Sequence, residues 1–340
     1  MNHNKWAPGS LAESGACFFR SVMYVRILLQ RPLAANQEER LKRAGAQLIH
    51  AASLEKTAVI EQLQDCQAMT VSANPSGYVF DEAFFSAAPS LQMISRFGIG
   101  MECFDLAAAK RHNVTIANTA GSNANAVAEH AVLLMLACLR NLREVDRRFR
   151  GGEFFEIRNQ LGAELKDKTV AVIGYGHIGR LVARKLVYGF GCGVIVFDPY
   201  AHAPMDERVT FACSLQEALE KSDIVSLHLP LSADTAHLLD ERTFAMMRKG
   251  TVLVNTARGG LIREAALVTA LKNDTLAAAG LDVFETEPPE MKNELFALPN
   301  VIMTPHCAAF TRESMAVTAQ YGVDNLLEWM AGEKPKRSVV

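Results

Sequence analysis

The run TVAVIGYGHIGR, residues 169–180, leaves few folds open to this chain. Thr169 to Ile173 form an apolar stretch of strand length. They lead into Gly174-x-Gly176-x-x-Gly179 and then into a helical pattern that reaches Tyr188. In that order the elements make the phosphate-binding turn of a parallel sheet. Gly174 permits a tight turn, Gly176 lets backbone approach a pyrophosphate, and Gly179 lets the helix pack closely on the strand. The amides at the helix start, at His177 and Ile178, then face the phosphates, where the helix dipole favours an anion. Nineteen residues after Gly179, at the end of GVIVFD, stands Asp198. A carboxylate there accepts hydrogen bonds from the ribose hydroxyls and repels a 2′-phosphate. The next residues are Pro199 and Tyr200 with no arginine, so the expected cofactor is NAD.

Around this turn the chain alternates short apolar runs with helical patterns, which argues for βα units and parallel sheets. YVRILLQ, AQLIH, CQAMTVS, LQMISRF and NVTIAN make one series. A long helix is expected from Asn125 to about Leu139, apolar on more than one face and therefore buried between domains or subunits. After a pause near Gly151-Gly152 a second series follows: TVAVIGYG, GVIVFD, DIVSLHLP, GTVLVNTA, TLAAAGLDVF and NVIMTP. The expectation is an α/β protein with two doubly wound parallel sheets. The last helix, 315–330, follows the second sheet and can return to the first domain. The expected domains are 23–120 with 309–340 for the smaller one, and 121–308 for the nucleotide-binding one. Residues 1–22 read as a disordered extension, and Met23 would serve as an alternative first residue.

Composition excludes several partners. A formal net charge of -2 over 340 residues gives no electrostatic reason to bind nucleic acid or an anionic membrane. The longest apolar runs, such as Ala131 to Leu139, are too short to span a bilayer. Seven scattered cysteines with no CxxC pair fit reduced thiols in the cytoplasm, with no disulfide framework and no structural metal.

The chemistry is expected at the carboxyl ends of the later strands, where such sheets bind ligands. VLVNTARGG supplies Arg258, AAAGLDVFETEPP supplies Asp282, Glu285 and Glu287, and NVIMTPHCAA supplies His306. If these strands are neighbours, their loops converge beside the nicotinamide. Hydride transfer to a carbonyl leaves charge on oxygen and calls for a proton donor with a near-neutral pKa, which histidine provides. A carboxylate on the far ring nitrogen would orient that histidine and raise its pKa. An arginine fork can hold a carboxylate and polarise the neighbouring carbonyl. Taken singly, Arg258 could cap a helix, Glu287 could be solvated loop charge, and His306 could be structural. Their joint placement after three strands favours reduction of a 2-oxo acid or its reverse.

ISRFGIG (94–100), AVAEHAVLLML (126–136), VIGYGHIGR (172–180), HLPLSADT (228–235), VNTARGGLI (254–262), GLDVFETEPP (280–289) and TPHCAA (304–309) together carry a resemblance. From Tyr24 to about Lys334 the chain resembles the D-isomer-specific 2-hydroxyacid dehydrogenase family, in particular its phosphoglycerate and glyoxylate/hydroxypyruvate branches. The resemblance implies a Rossmann NAD-binding domain with a smaller flavodoxin-like lid domain. It implies Arg258 as substrate anchor, Glu287 paired with His306, and His306 as acid/base. Asp282 would hold the nicotinamide carboxamide side, and Leu229, Pro230, Thr256 and Ala257 would line the cofactor. Ser72, Ala73 and Asn74, with Gly98, Ile99 and Gly100, would receive the substrate carboxylate. A homodimer built through the helix near 126–139, and hinges near 118–123 and Pro305, are implied as well.

Two departures concern substrate fit. Cys307 and Ala309 stand where the family commonly has an aliphatic residue and a glycine, and MECFD (101–105) replaces an acid-asparagine pair. Cys307 reads as a small apolar filler, having no partner cysteine. SANPSGYVF contains no cation, Val71 stands where phosphoglycerate-oxidising relatives tend to have arginine, and no regulatory domain is expected after the last helix. The expected substrate is therefore a small unphosphorylated 2-oxo acid, with Arg31 as an alternative source of charge. An NAD(H)-sensing dimeric binding protein or corepressor on the same scaffold, and an enzyme that oxidises formate or phosphite by hydride transfer to NAD, are the competing readings.

Overall fold

The computed structural model describes residues 24–72, 77–201 and 207–340. The expected N-terminal extension, Ala73 and Asn74 lie outside the described residues. The chain divides into two compact units. One gathers the described residues up to Arg96, Gly100–Ala117 and Val323–Val340; the other holds Phe97–Ile99 and Asn118–Gly322.

The first unit is built on β1 (Val25–Leu29), β2 (Ala46–His50), β3 (Ala68–Val71), β4 (Met93–Arg96) and β5 (Thr115–Ala117). They form one parallel sheet in the order β2-β1-β3-β4-β5, the flavodoxin-like winding. β3 is buried along its whole length, as a strand covered by helices on both faces must be. Phe80, Phe84, Phe85 and Phe104 fill the core on one side. Asp81 caps the helix Glu82–Ala87 by accepting from the Phe84 amide at 2.9 Å.

The second unit holds β6 (Thr169–Ile173), β7 (Gly193–Phe197), β8 (Val209–Phe211), β9 (Ile224–Leu227), β10 (Thr251–Asn255), β11 (Leu276–Leu281) and β12 (Val301–Met303). The sheet order is β12-β11-β10-β9-β6-β7-β8, all parallel, with the winding reversing between β6 and β9. This is a Rossmann sheet with one strand added beyond the usual six. The six strand runs read from the sequence are present. β8, a three-residue edge strand, is a seventh that the pattern did not show.

The long helix spans Ala124–Leu139 and packs on β10, β11 and β12 inside this unit. Its several apolar faces are thereby explained: eleven of its sixteen residues are buried here. Gly280 in β11 makes the close approach possible, since a Cβ there would lie 2.8 Å from the Leu134 Cβ. Burying side chains such as Leu134 and Met135 contributes about 1.5–3 kcal/mol each. The last helix, Arg312–Met330, starts in the second unit and ends in the first. Among the described residues, no helix is long and apolar enough to cross a membrane.

Candidate active site

The glycine turn connects β6 to the helix His177–Lys185. Gly174 has φ 97°, a left-handed conformation that suits glycine, and a Cβ there would lie 2.6 Å from the His228 carbonyl oxygen. A Cβ on Gly179 would lie 2.0 Å from the Gly174 carbonyl oxygen, so only glycine allows this helix to reach the strand. Gly176 has no atom within 4 Å of that direction, which leaves open the space that a pyrophosphate needs. Asp198 follows β7 and lies beside the turn: one carboxylate oxygen accepts from the Tyr175 amide at 2.7 Å and the other from the Tyr200 amide at 2.9 Å. Its remaining lone pairs are those a ribose would use. Thr256, after β10, keeps a buried hydroxyl without a hydrogen-bond partner among the described residues, a donor that a polar cofactor group would satisfy. Ala257 follows it, its amide donating to the Asn255 side chain at 3.0 Å, and Leu229 and Pro230 follow β9. These features fit a dinucleotide.

Arg258, Glu287 and His306 come from the ends of β10, β11 and β12, three adjacent strands. His306 Nδ1 and Glu287 Oε2 are 2.7 Å apart, and the other Glu287 oxygen accepts from the Phe284 amide at 3.1 Å. The hydrogen bond to Glu287 raises the His306 pKa above its usual 6.5; burial and the Arg258 charge oppose it, and the charges of Glu287 and Asp282 support it. Burial pushes the Glu287 carboxyl up. The hydrogen bonds from His306 and Phe284, with the His306 and Arg258 charges, outweigh that and hold it below the usual carboxylate range. The Arg258 guanidinium donates to the Ala257 carbonyl at 2.8 Å, and its charge acts on both members of the pair. Arginine, carboxylate and histidine therefore share one site at the carboxyl edge of the sheet.

His228 makes the contrast. Burial drives its pKa down to about 3, so it stays neutral, with Nε2 bonded to the Ser226 hydroxyl at 2.9 Å. Of the two histidines, the surroundings raise the pKa of His306 and lower that of His228. Glu285, two residues before Glu287, is committed elsewhere, to His237 at 2.6 Å and to the Glu264 amide at 3.0 Å.

Asp282, 1% exposed, is surrounded by donors: the Thr304 hydroxyl at 2.5 Å and the Cys307 and Ala308 amides, each at 2.9 Å. Burial first, and then Asp282, push the Cys307 thiol pKa up, which fits an unreactive filler. His130, Asp282 and Cys307 bring one ligand atom each within 4.8 Å of one another. The donors already on Asp282 make this a hydrogen-bonded cluster, and we assign no metal to it.

The expected substrate loops fall in separate units. Ser72 and Gly100 belong to the first, where Arg96 donates to their carbonyls at 2.8 and 3.3 Å. Arg96 is a cation the sequence reading overlooked beside that loop. Gly98 and Ile99 belong to the second, where the Thr119 amide donates to the Gly98 carbonyl at 3.1 Å. Thr304 and His130 were also missed, since nothing in their local pattern marks them.

A glycine cradle at the reversal of a parallel sheet, an acid at the next strand end and a histidine–carboxylate pair define a dinucleotide-dependent oxidoreductase. Comparison with known proteins narrows the class. Residues 132–308 match the model of the D-isomer specific 2-hydroxyacid dehydrogenase, NAD binding domain. A glyoxylate reductase of Korarchaeum cryptofilum is 32% identical over 289 residues, 84% of this chain and 86% of that protein. A D-3-phosphoglycerate dehydrogenase of Archaeoglobus fulgidus is 31% identical over 93% of this chain, which spans only 59% of that protein's length. The crystal structure of a glyoxylate reductase from Paecilomyes thermophila superposes with a TM-score of 0.84 at 31% identity, covering 93% of this chain and 98% of that one. The chain belongs to the D-isomer specific 2-hydroxyacid dehydrogenase family, and its cofactor is NAD.

Proposed function

We propose that the protein interconverts a small, unphosphorylated 2-oxo acid and its 2-hydroxy acid with NAD(H), using His306 as acid/base. The observation that carries this reading is the 2.7 Å pair between His306 Nδ1 and Glu287, formed within reach of the Arg258 charge. When bound, the nicotinamide supplies or receives the hydride. Arg258 holds the substrate carboxylate and polarises the adjacent carbonyl; the amides of Gly98 and Ile99 are further donors to that carboxylate. Glu287 keeps the Nδ1 proton of His306, so Nε2 is the nitrogen that faces the substrate oxygen. In reduction Nε2–H gives its proton to the oxygen that the hydride leaves negative. In oxidation neutral Nε2 removes the hydroxyl proton. The unpartnered Thr256 hydroxyl meets a polar group of the cofactor. Asp282, expected there from the resemblance, is 1% exposed and already occupied by Thr304, Cys307 and Ala308, so it braces the loop instead.

A homodimer is part of the proposal. Leu133, Leu142, Phe149, Phe154 and Phe155 leave an exposed apolar surface on and after the long helix. A cytoplasmic location is supported by the six described cysteines, all free.

The test is turnover. Purified protein, NADH and a panel of 2-oxo acids, phosphorylated and not, are followed by loss of NADH absorbance. One small unphosphorylated acid should be reduced best, and His306→Ala should lower its kcat by about 10²–10⁴-fold with NADH affinity kept. Tight NADH binding with no panel member turned over would favour a sensor and reject the reading.

A further inference from the structure

The backbone of His306 is strained. Its φ is 51°, in the left-handed region, which costs a non-glycine residue roughly 1–3 kcal/mol and persists only where the surroundings over-determine it. The loop's hydrogen bonds converge on Asp282. The Asp282 backbone carbonyl accepts from the His306 amide at 2.8 Å, and its carboxylate takes the amides of the two following residues, Cys307 and Ala308. One residue thus holds the amide of His306 through its backbone and the two amides that follow through its side chain.

Asp282 is itself braced. Thr304 Oγ1 donates to Asp282 Oδ1 at 2.5 Å, so the hydroxyl proton is committed and the oxygen can only accept from its other neighbour. That neighbour is His130 Nε2, at 2.9 Å, which must therefore carry a hydrogen. The same nitrogen lies 3.7 Å from Asp282 Oδ1, with the imidazole only 16% exposed. His130 belongs to the helix Ala124–Leu139, which is fixed by its own packing on β10, β11 and β12. A rigid helix thereby connects to the loop of β12 through one imidazole, one hydroxyl and one buried carboxylate.

We infer that His130 and Thr304 are positioning residues for His306, acting through Asp282. The inference rests on the reading of His306 as acid/base. Glu287 sets the direction of the imidazole ring, whereas the His130–Thr304–Asp282 chain sets where the backbone carrying it stands. The need is physical: a displacement of about 1 Å at a reacting group can cost about 100-fold in rate.

The test compares five single variants and one double variant of this chain. Thr304→Val keeps the shape and removes the hydroxyl, leaving Asp282 Oδ1 one donor short and the His130 N–H without an acceptor. Its kcat for the best 2-oxo acid should fall about 10- to 100-fold, with the Kd for NADH within about 2-fold of wild type. Thr304→Ser should recover most of the rate. His130→Gln, which keeps an N–H donor, should retain clearly more activity than His130→Leu. Thr304→Val combined with His130→Leu should be little worse than either alone, because both break one link. If Thr304→Val does not fold, the His130→Gln and His130→Leu pair decides. Wild-type kcat in Thr304→Val or His130→Leu, or equal losses in kcat and NADH affinity, would overturn the inference. His306→Ala in the same assay separates the two readings: an active His306→Ala rejects the acid/base role, whereas an inactive one beside wild-type-like Thr304 and His130 variants rejects only the brace.

Discussion

Gly259→Ala is a one-methyl perturbation whose effect can be worked from the geometry. Gly259 directly follows Arg258 and lies against the backbone that leads to Glu287. A Cβ there would be 1.8 Å from the Phe284 oxygen, 1.9 Å from its carbonyl carbon and 2.5 Å from the Glu285 nitrogen, where ordinary contact begins at 3.4 Å. All three are main-chain atoms, so no side chain can swing aside. The two segments must separate by roughly 1.5 Å, and overpacking of this kind costs about 1–3 kcal/mol. The displaced Phe284 amide donates to Glu287 Oε1, so the shift moves the carboxylate that steers His306. A misplacement of that size predicts a kcat lower by about 100-fold, beyond any loss of folded protein. Steady-state NADH oxidation, normalised to the folded fraction and paired with a thermal melt, measures both effects. Wild-type kcat and Tm would refute the claim that this close approach sets the catalytic loop.

The pH dependence has a fixed sign. Because Glu287 raises the His306 pKa above 6.5, 2-oxo acid reduction needs the protonated form and should fall only as pH rises through that raised value, while the reverse oxidation rises over the same range. In Glu287→Gln the transition in kcat/KM should move down in pH, and an unmoved profile would dissociate the pair from catalysis. Asp198→Ala should lower the preference for NAD over NADP, read as the ratio of the two kcat/KM values; an unchanged ratio would remove Asp198 from the ribose site.

The legible parts of the sequence were those with local signatures. Buried parallel strands write continuous apolar runs, so eleven strands and the winding of both sheets could be read, whereas β8, Val-Thr-Phe at an edge, has too few residues to form a pattern. Arg258, Glu287 and His306 could be grouped because each follows its strand within a few residues, and the strands proved adjacent. Their supports were not legible. His130 meets Thr304 across 174 residues, and the contact of Gly259 with Phe284 exists only once β10 and β11 pair. The long helix is covered on most of its surface by β10, β11, β12 and the helix His177–Lys185 of its own unit, whereas Leu133 stays exposed.

His306, the proposed proton-transfer residue, follows β12, three residues long and paired with a neighbour on one side only. The nucleotide turn, by contrast, grows from β6, which has partners on both sides. Margins open at lower free energy than centres. With His306 as the proposed acid/base, transient peeling of that final strand would leave a molecule still able to capture dinucleotide yet chemically silent, so that reading makes occupancy by cofactor and competence to react separately stabilised properties.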